Sequence, residues 1–159
     1  MIIFILVFAF ISISTIYRKN KRNKKINIRK LKNKLLIIQL MNNNRKYNFL
    51  IDTGSTASHI SDRYMTDFGN VGYKCKSDIY GMGGEKNINT FIMPEFIYKG
   101  KYCNHKISVP LLINKGMNSM MDMMKEDYNI EIHGVVGMDF IDKYISEFSF
   151  NNNTILLKR

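Results

Sequence analysis

The sequence predicts a mainly β domain with one or two short helices, preceded by an N-terminal transmembrane helix. Three observations lead to this fold class. Short apolar runs, such as residues 35–40 and 47–51, are separated by turn residues, a pattern typical of strands joined by hairpins. Residues 119–128 form the longest predicted helix of the domain. Residues 1–17 are mostly apolar and carry no charge, so they are just long enough to cross a bilayer.

The N-terminal segment is predicted to be an uncleaved membrane anchor. Tyr17 stands where an interfacial anchor is expected, and a dense basic run follows it at once. A secretory signal carries its positive charge before the apolar core, whereas here the charge comes after it. Because positively charged flanks stay in the cytoplasm, the domain is expected on the cytoplasmic side as a single-pass membrane protein. Export after signal cleavage is the alternative.

The net charge of +11 is concentrated next to this anchor. Residues 18–34 hold ten basic side chains, and no acidic residue precedes Asp52. Residues 35–159 are nearly neutral, with 14 basic and 13 acidic residues, which argues against a nucleic-acid-binding domain. The chain therefore divides into an anchor (1–17), a basic linker (18–34) that can lie against anionic lipid headgroups, and a domain (35–159).

The first predicted hairpin delivers an acidic residue. Residues 35–40 form an apolar strand, residues 41–46 an Asn-rich turn longer than the tightest kind, and residues 47–51 the returning strand that ends at Asp52. Ser61 is then expected to cap a brief helix that runs to Asp67.

The remaining elements are short strands and a helix that Ser119 is expected to cap. They are predicted at 58–61, 71–90 (a hairpin with a Gly-rich tip), 91–93, 95–98, 107–113, 119–128 (the helix), 144–150 and 154–157.

The cysteines and histidines do not form a metal-binding pattern. Cys75 and Cys103 are the only cysteines and are expected to be reduced and unpaired. His59, His105 and His133 are scattered and are expected on the surface or in loops. We therefore expect no metal and no cofactor.

Five methionines cluster at and before the predicted helix. Flexible core filling and an apolar wall for substrate side chains are both open interpretations. They are Met117, Met120, Met121, Met123 and Met124.

Two short motifs point to chemistry. An apolar strand runs into Asp52-Thr53-Gly54-Ser55, so that a tight turn presents one carboxylate beside hydroxyl groups that can donate hydrogen bonds. Late in the chain, two valines and a glycine precede apolar residues at helical spacing; this second motif is Val135-Val136-Gly137.

Together these motifs resemble those of the retropepsin-like aspartic peptidases, over about residues 35–159. The resemblance implies a closed acid-protease barrel, with Asp52 as the catalytic residue and Thr53, Gly54 and Ser55 as its active-site loop. It also implies that Val135, Val136 and Gly137 support the site. A Gly-rich segment between the motifs stands where the family has its substrate-binding flap, and it comprises Tyr80, Gly81, Met82, Gly83 and Gly84.

The single Asp-Thr-Gly motif implies half of a catalytic site per chain. Peptide hydrolysis by this chemistry needs two carboxylates, about 3 Å apart, that share one proton. A two-fold homodimer brings Asp52 against its symmetry mate and lets the pair activate water against a peptide or protein substrate. An inactive peptide-binding or dimerisation module of the same fold, tethered to the membrane, is the alternative.

The chain departs from the viral members at two positions. Those members tend to carry an acidic residue and an arginine that pair with each other, where this sequence has Thr56 and Met138. Because both partners are missing together, no charge is left unpaired. The sequence therefore resembles cellular or bacterial relatives rather than viral ones. Without the charged pair, the contacts that support the dimer are expected to differ from those of the viral members.

Overall fold

A computed structural model describes residues 25–32, 34–68, 72–76, 88–99 and 104–158. Thirteen strands are present in this part: β1 (Lys25–Asn27), β2 (Arg29–Lys30), β3 (Leu36–Asn42), β4 (Arg45–Ile51), β5 (His59–Ser61), β6 (Gly72–Lys76), β7 (Ile88–Ile92), β8 (Glu95–Lys99), β9 (Asn104–Ser108), β10 (Leu111–Asn114), β11 (Gly134–Val136), β12 (Ile145–Ser149) and β13 (Thr154–Leu157). The helical elements are the 3₁₀ helices η1 (Asp62–Phe68) and η2 (Lys115–Met117) and the α-helices α1 (Asn118–Tyr128) and α2 (Met138–Tyr144).

The strands form one large sheet and one small one. The large sheet has ten strands in the order β6-β7-β10-β5-β11-β4-β3-β8-β9, with β2 added beside β3. It curls into a half-barrel rather than the predicted closed barrel, and β6 and β9 are its edges within the described residues. The small sheet has the order β1-β13-β12.

The centre of the large sheet joins distant parts of the chain. Strand β11 pairs in parallel with β4, where Val136 lies opposite Ile51. On its other side β11 pairs antiparallel with β5, where Val135 lies opposite His59. The late strand therefore sits between the strand that ends at Asp52 and the strand that follows the Asp52 turn.

The folded region begins earlier than the predicted boundary at residue 35. Strand β1 pairs with β13, and β2 pairs with β3. Ile26, Ile28 and Leu31 lie among basic residues, and their side chains are buried. The second half of the predicted linker is thus part of the domain, because its apolar side chains complete the core while its lysines and arginines face solvent.

The first hairpin is tighter than predicted. Asn42 pairs with Arg45, so the loop contains only Asn43 and Asn44, with φ of 45° and 64°. Two consecutive residues in the left-handed region make a two-residue hairpin turn, and Asn tolerates this conformation better than most residues. The predicted strands on either side are confirmed.

Both faces of the β3–β4 hairpin are buried, which explains its continuous apolar sequence. Leu36, Ile38 and Phe49 point into the larger core, whereas Ile37 and Leu50 point into a second core. This second core is completed by Leu31, Met117, Met121, Met124, Ile130, Ile132 and Val135. Most of the methionine cluster is therefore core filling; only Met123 is largely exposed, at 51%.

Predictions about helix starts have mixed outcomes. Ser61 does cap η1, because its Oγ accepts a hydrogen bond from the Arg63 amide at 3.2 Å. Ser119 does not cap α1, since η2 runs directly into a helix that begins at Asn118. The cap lies earlier, where the Asn114 side chain accepts from the Gly116 amide at 2.8 Å. The predicted C-terminal hairpin is confirmed as β12 and β13.

Some predictions concern residues outside the described part. Residues 1–17 and the flap residues 80–84 belong there, as does Cys103, so the pairing of Cys75 with Cys103 stays an open question. Within the described ranges, no helix has both the length and the apolar character needed to span a membrane.

Candidate active site

Asp52 is the first residue after β4 and lies exposed at the end of the strand. Its backbone amide continues the ladder to β11 by donating to the Val136 carbonyl at 3.0 Å. Its side-chain Oδ1 accepts a hydrogen bond of 2.8 Å from the Gly54 amide. A Cβ at Gly54 would lie 3.2 Å from the same Oδ1, so glycine leaves room for the carboxylate. The turn thus presents an oriented carboxylate to the outside of the single chain.

The hydroxyl of Ser55 does not serve the carboxylate as expected. It donates instead to the Ala57 carbonyl at 2.7 Å and stabilises the turn itself. Thr53 is exposed beside Asp52. The hydrogen bond expected from a serine side chain is therefore supplied by the backbone of Gly54.

Gly137 fits tightly under this turn. A Cβ at this position would lie 2.6 Å from the carbonyl oxygens of both Ser55 and Ala57. Such distances are shorter than any real contact, and backbone atoms cannot move aside as a flexible side chain can. Glycine is required here because the end of β11 packs directly against the loop that carries Asp52.

Further hydrogen bonds join the Asp52 loop to the start of α2. The Met138 amide donates to the Ser55 carbonyl at 2.8 Å. Ser58 is fully buried and donates both its amide and its hydroxyl to Asp139, at 3.0 and 2.6 Å. The same hydroxyl accepts from the Gly137 amide at 3.0 Å. The two predicted motifs therefore meet in one network of hydrogen bonds.

Two histidines near the site are buried, contrary to the prediction that they lie on the surface or in loops. His59 is 9% exposed because β5 lies between β10 and β11. Its Nδ1 finds no hydrogen-bond partner among the described residues, and burial lowers the pKa of His59. A neutral imidazole therefore stands behind the Asp52 loop.

His133 is 3% exposed and packs between two tyrosine rings. Its ring centroid lies 5.1 Å from that of Tyr47 and 4.5 Å from that of Tyr64. Burial, followed by the charge of Asp67, raises the pKa of Tyr47 to about 12. Burial and the hydrogen bond to Glu131 raise the pKa of Tyr64 to about 12. Both phenols are therefore neutral neighbours, and burial lowers the pKa of His133 as well.

The structure brings the predicted loop and support residues together at one place. Asp52, Thr53, Gly54 and Ser55 form the turn, and Val135, Val136 and Gly137 form its floor. Their catalytic roles remain predictions. Across the residues described, no group of three or more metal-ligating side chains could hold a metal ion.

Ser58 and Asp139 were missed as site residues. Asp139 lies in the first turn of α2, where an acidic residue is ordinary in itself. The available signal was closeness in sequence to the motifs, because Asp139 follows Gly137 by two positions and Ser58 follows Gly54 by four.

Comparison with solved structures confirms the fold. A retropepsin-like aspartic protease from Rickettsia conorii is similar to this chain, with a TM-score of 0.51 and 17% identity over 84% of this chain and 89% of that one. The retroviral protease-like domain of Ddi1 from Leishmania major gives a TM-score of 0.45 and 9% identity over 79% of this chain and 94% of that domain. No family model and no curated protein matches the chain.

The chain therefore has a retropepsin-like fold, and the resemblance seen in the sequence motifs is confirmed at the level of the fold.

Proposed function

We propose that this protein is an aspartic endopeptidase that works as a homodimer and hydrolyses peptide bonds with water activated by two Asp52 carboxylates. The observation that carries the proposal is the Asp52 turn on a retropepsin-like fold. Its carboxylate is exposed, accepts a hydrogen bond from the Gly54 amide, and is held from below by Val136 and Gly137.

The chemistry follows from pairing the two carboxylates. One chain supplies a single Asp-Thr-Gly motif, and a two-fold axis places identical residues side by side. Like charges about 3 Å apart do not both ionise. The ionised carboxylate takes a proton from the attacking water, and the protonated one polarises the substrate carbonyl. A proton then passes to the leaving amine.

The partners of the enzyme in this proposal are a second copy of the chain and a peptide or protein substrate. We further propose that residues 1–17 anchor the enzyme in a membrane with its domain in the cytoplasm, because ten basic residues follow the uncharged segment. A tag at the C-terminus, probed with protease on sealed cells, tests the orientation; digestion from outside would contradict it.

The decisive experiment for the activity is cleavage of a peptide library by the full chain. We expect cleavage that is abolished by a transition-state-mimicking inhibitor of aspartic peptidases and unaffected by a metal chelator. Binding of peptides without any cleavage would favour the inactive module instead.

A further inference from the structure

We infer that Ser58 and Asp139 form a positioning pair that fixes the Asp52 loop onto β11, and that the pair supports catalysis without touching the substrate. The inference rests on the proposed peptidase function. It assigns a role to two residues outside both recognised motifs.

The first argument is geometric. The Asp139 carboxylate spans the gap between the two loops with both oxygens engaged. Its Oδ2 accepts from the Ser58 amide at 3.0 Å, and its Oδ1 accepts from the Ser58 hydroxyl at 2.6 Å and from the Phe140 amide at 2.7 Å. Hydrogen bonds to a carboxylate are stronger than those between neutral groups, so this contact is the strongest polar link between the two loops.

The second argument is the burial of Ser58. Its side chain is 0% exposed, so a hydroxyl left without partners there costs free energy. The hydroxyl is satisfied both as a donor and as an acceptor, because it donates to Asp139 and accepts from the Gly137 amide at 3.0 Å. Ser58 thus connects Asp139 to the glycine that supports the loop, and a change in any one of the three residues disturbs the other two.

The third argument is the path from this pair to Asp52. The loop between Asp52 and Ser58 is held by the Ser55 and Thr56 carbonyls, which accept from the Met138 and Asp139 amides at 2.8 and 3.3 Å. All of these donors lie at the start of α2. If α2 shifts relative to β5, the turn shifts with it, and the Asp52 carboxylate loses the alignment that it needs with its symmetry mate.

The fourth argument is that charge pairing does not explain Asp139. In the described part of the chain it makes no ion pair, and all of its hydrogen-bond donors are neutral. Its neighbour His59 is kept neutral by burial, which lowers the pKa of that imidazole. Asp139 therefore acts here through directed hydrogen bonds, which an isosteric asparagine cannot reproduce because one acceptor oxygen becomes a donor.

The test compares Ser58→Ala and Asp139→Asn with a matched control, Ser61→Ala, in the full chain. Ser61 is also fully buried and also donates its hydroxyl to a side chain, Asn118, at 2.6 Å. We expect Ser58→Ala and Asp139→Asn each to lower kcat by roughly 10- to 100-fold with little change in KM, since a small misplacement of a catalytic group has effects of this size. Ser61→Ala should keep kcat close to that of the wild type.

The double variant should be little worse than either single variant, because both remove the same link. Equal losses of kcat in Ser58→Ala and Ser61→Ala, in proportion to their losses of thermal stability, would overturn the inference. So would additive effects of Ser58→Ala and Asp139→Asn.

A second readout does not depend on activity. Hydrogen exchange at the Gly54 and Gly137 amides should accelerate in Ser58→Ala and Asp139→Asn, and not in Ser61→Ala. If the wild-type chain cleaves no peptide, the proposed function fails while this measurement still decides the positioning role; unchanged exchange at both amides would refute it.

Discussion

The imidazole Nδ1 of His133 accepts a hydrogen bond of 3.1 Å from the backbone amide of Asn48. In return, the His133 amide donates to the Asn48 carbonyl at 2.9 Å. The His133 side chain thereby accepts a hydrogen bond from the backbone of β4, as a neighbouring strand would. The donor, Asn48, lies four residues before Asp52. Only an imidazole without a proton on Nδ1 can accept this bond, so the contact requires His133 to be neutral.

This relationship predicts that acid destabilises the fold before it protonates most carboxylates. Burial lowers the pKa of His133 and of His59 below the ordinary value of 6.5. The unfolded chain therefore takes up protons first as the pH falls, and stability is lost from about pH 6.5 downward to the folded pKa values. Thermal unfolding measured between about pH 7.5 and 5 should show a falling midpoint. His133→Asn should flatten this slope; an unchanged slope in His133→Asn would contradict the assignment.

Asp52→Asn is expected to abolish peptide cleavage and leave the fold intact. The residue is exposed, and the hydrogen bond from its backbone amide to the Val136 carbonyl does not depend on the side chain. The asparagine side chain, however, cannot share a proton with its symmetry mate. We expect turnover to fall by at least about 100-fold, the usual contribution of a general acid–base group. Asp122→Asn, which removes a surface ion pair with Arg63, is the control. A folded Asp52→Asn variant with near wild-type turnover would refute the catalytic assignment.

Activity is expected to depend on protein concentration. Because one chain holds one Asp-Thr-Gly motif, the monomer lacks half of the site, and specific activity should rise through the dissociation range of the dimer. Light scattering and activity should be measured over the same dilution series. A monomer with constant specific activity would count against the homodimer.

Gly137→Ala is expected to disrupt the site and destabilise the domain. The added Cβ would meet two backbone carbonyls at 2.6 Å, and overpacking of this kind costs about 1–3 kcal/mol or more of unfolding free energy. Denaturant unfolding and turnover should both be measured. Gly116→Ala is the matched control, since its Cβ would meet only the Asn114 side chain, at 3.2 Å. Equal stability of the two variants would show that Gly137 does not need to be glycine.

Removal of residues 1–32 is expected to destabilise the domain far more than removal of residues 1–24. The longer deletion takes away Ile26, Ile28 and Leu31, whose side chains are at most 8% exposed. A fully buried aliphatic side chain contributes roughly 1.5–3 kcal/mol, so denaturant unfolding distinguishes the two shortened chains. If they are equally stable, β1 and β2 do not belong to the folded unit.

The sequence alone could predict the elements whose signals are local. The strands on either side of Asn43 and Asn44 were predictable from their apolar runs, and the turn was misjudged only in length because Asn accepts left-handed dihedrals. Strand β1 could not be predicted because its single apolar residue, Ile26, lies within a basic run, and its burial depends on β13.

The link between Ser58 and Asp139 could not be predicted from local patterns. Its two residues are 81 positions apart, and each has an ordinary local explanation. The neutral state of His133 depends in the same way on Asn48, 85 positions away. The local motifs predicted the residues of the Asp52 turn, whereas the contacts that hold this turn in place depend on tertiary packing.

The pairing of β1 with β13 has a consequence for the order of folding during synthesis. Lys25 pairs with Leu156, so the partner of the first described strand is synthesised about 130 residues later. Strand β4 must likewise wait for β11, and such distant pairings are slow to form. Until those partner strands have been synthesised, the edges of β1 and β4 that they cover stay open to chaperones or to wrong partners. The Asp52 turn therefore gains its support from β11 only after residues 134–137 have been synthesised.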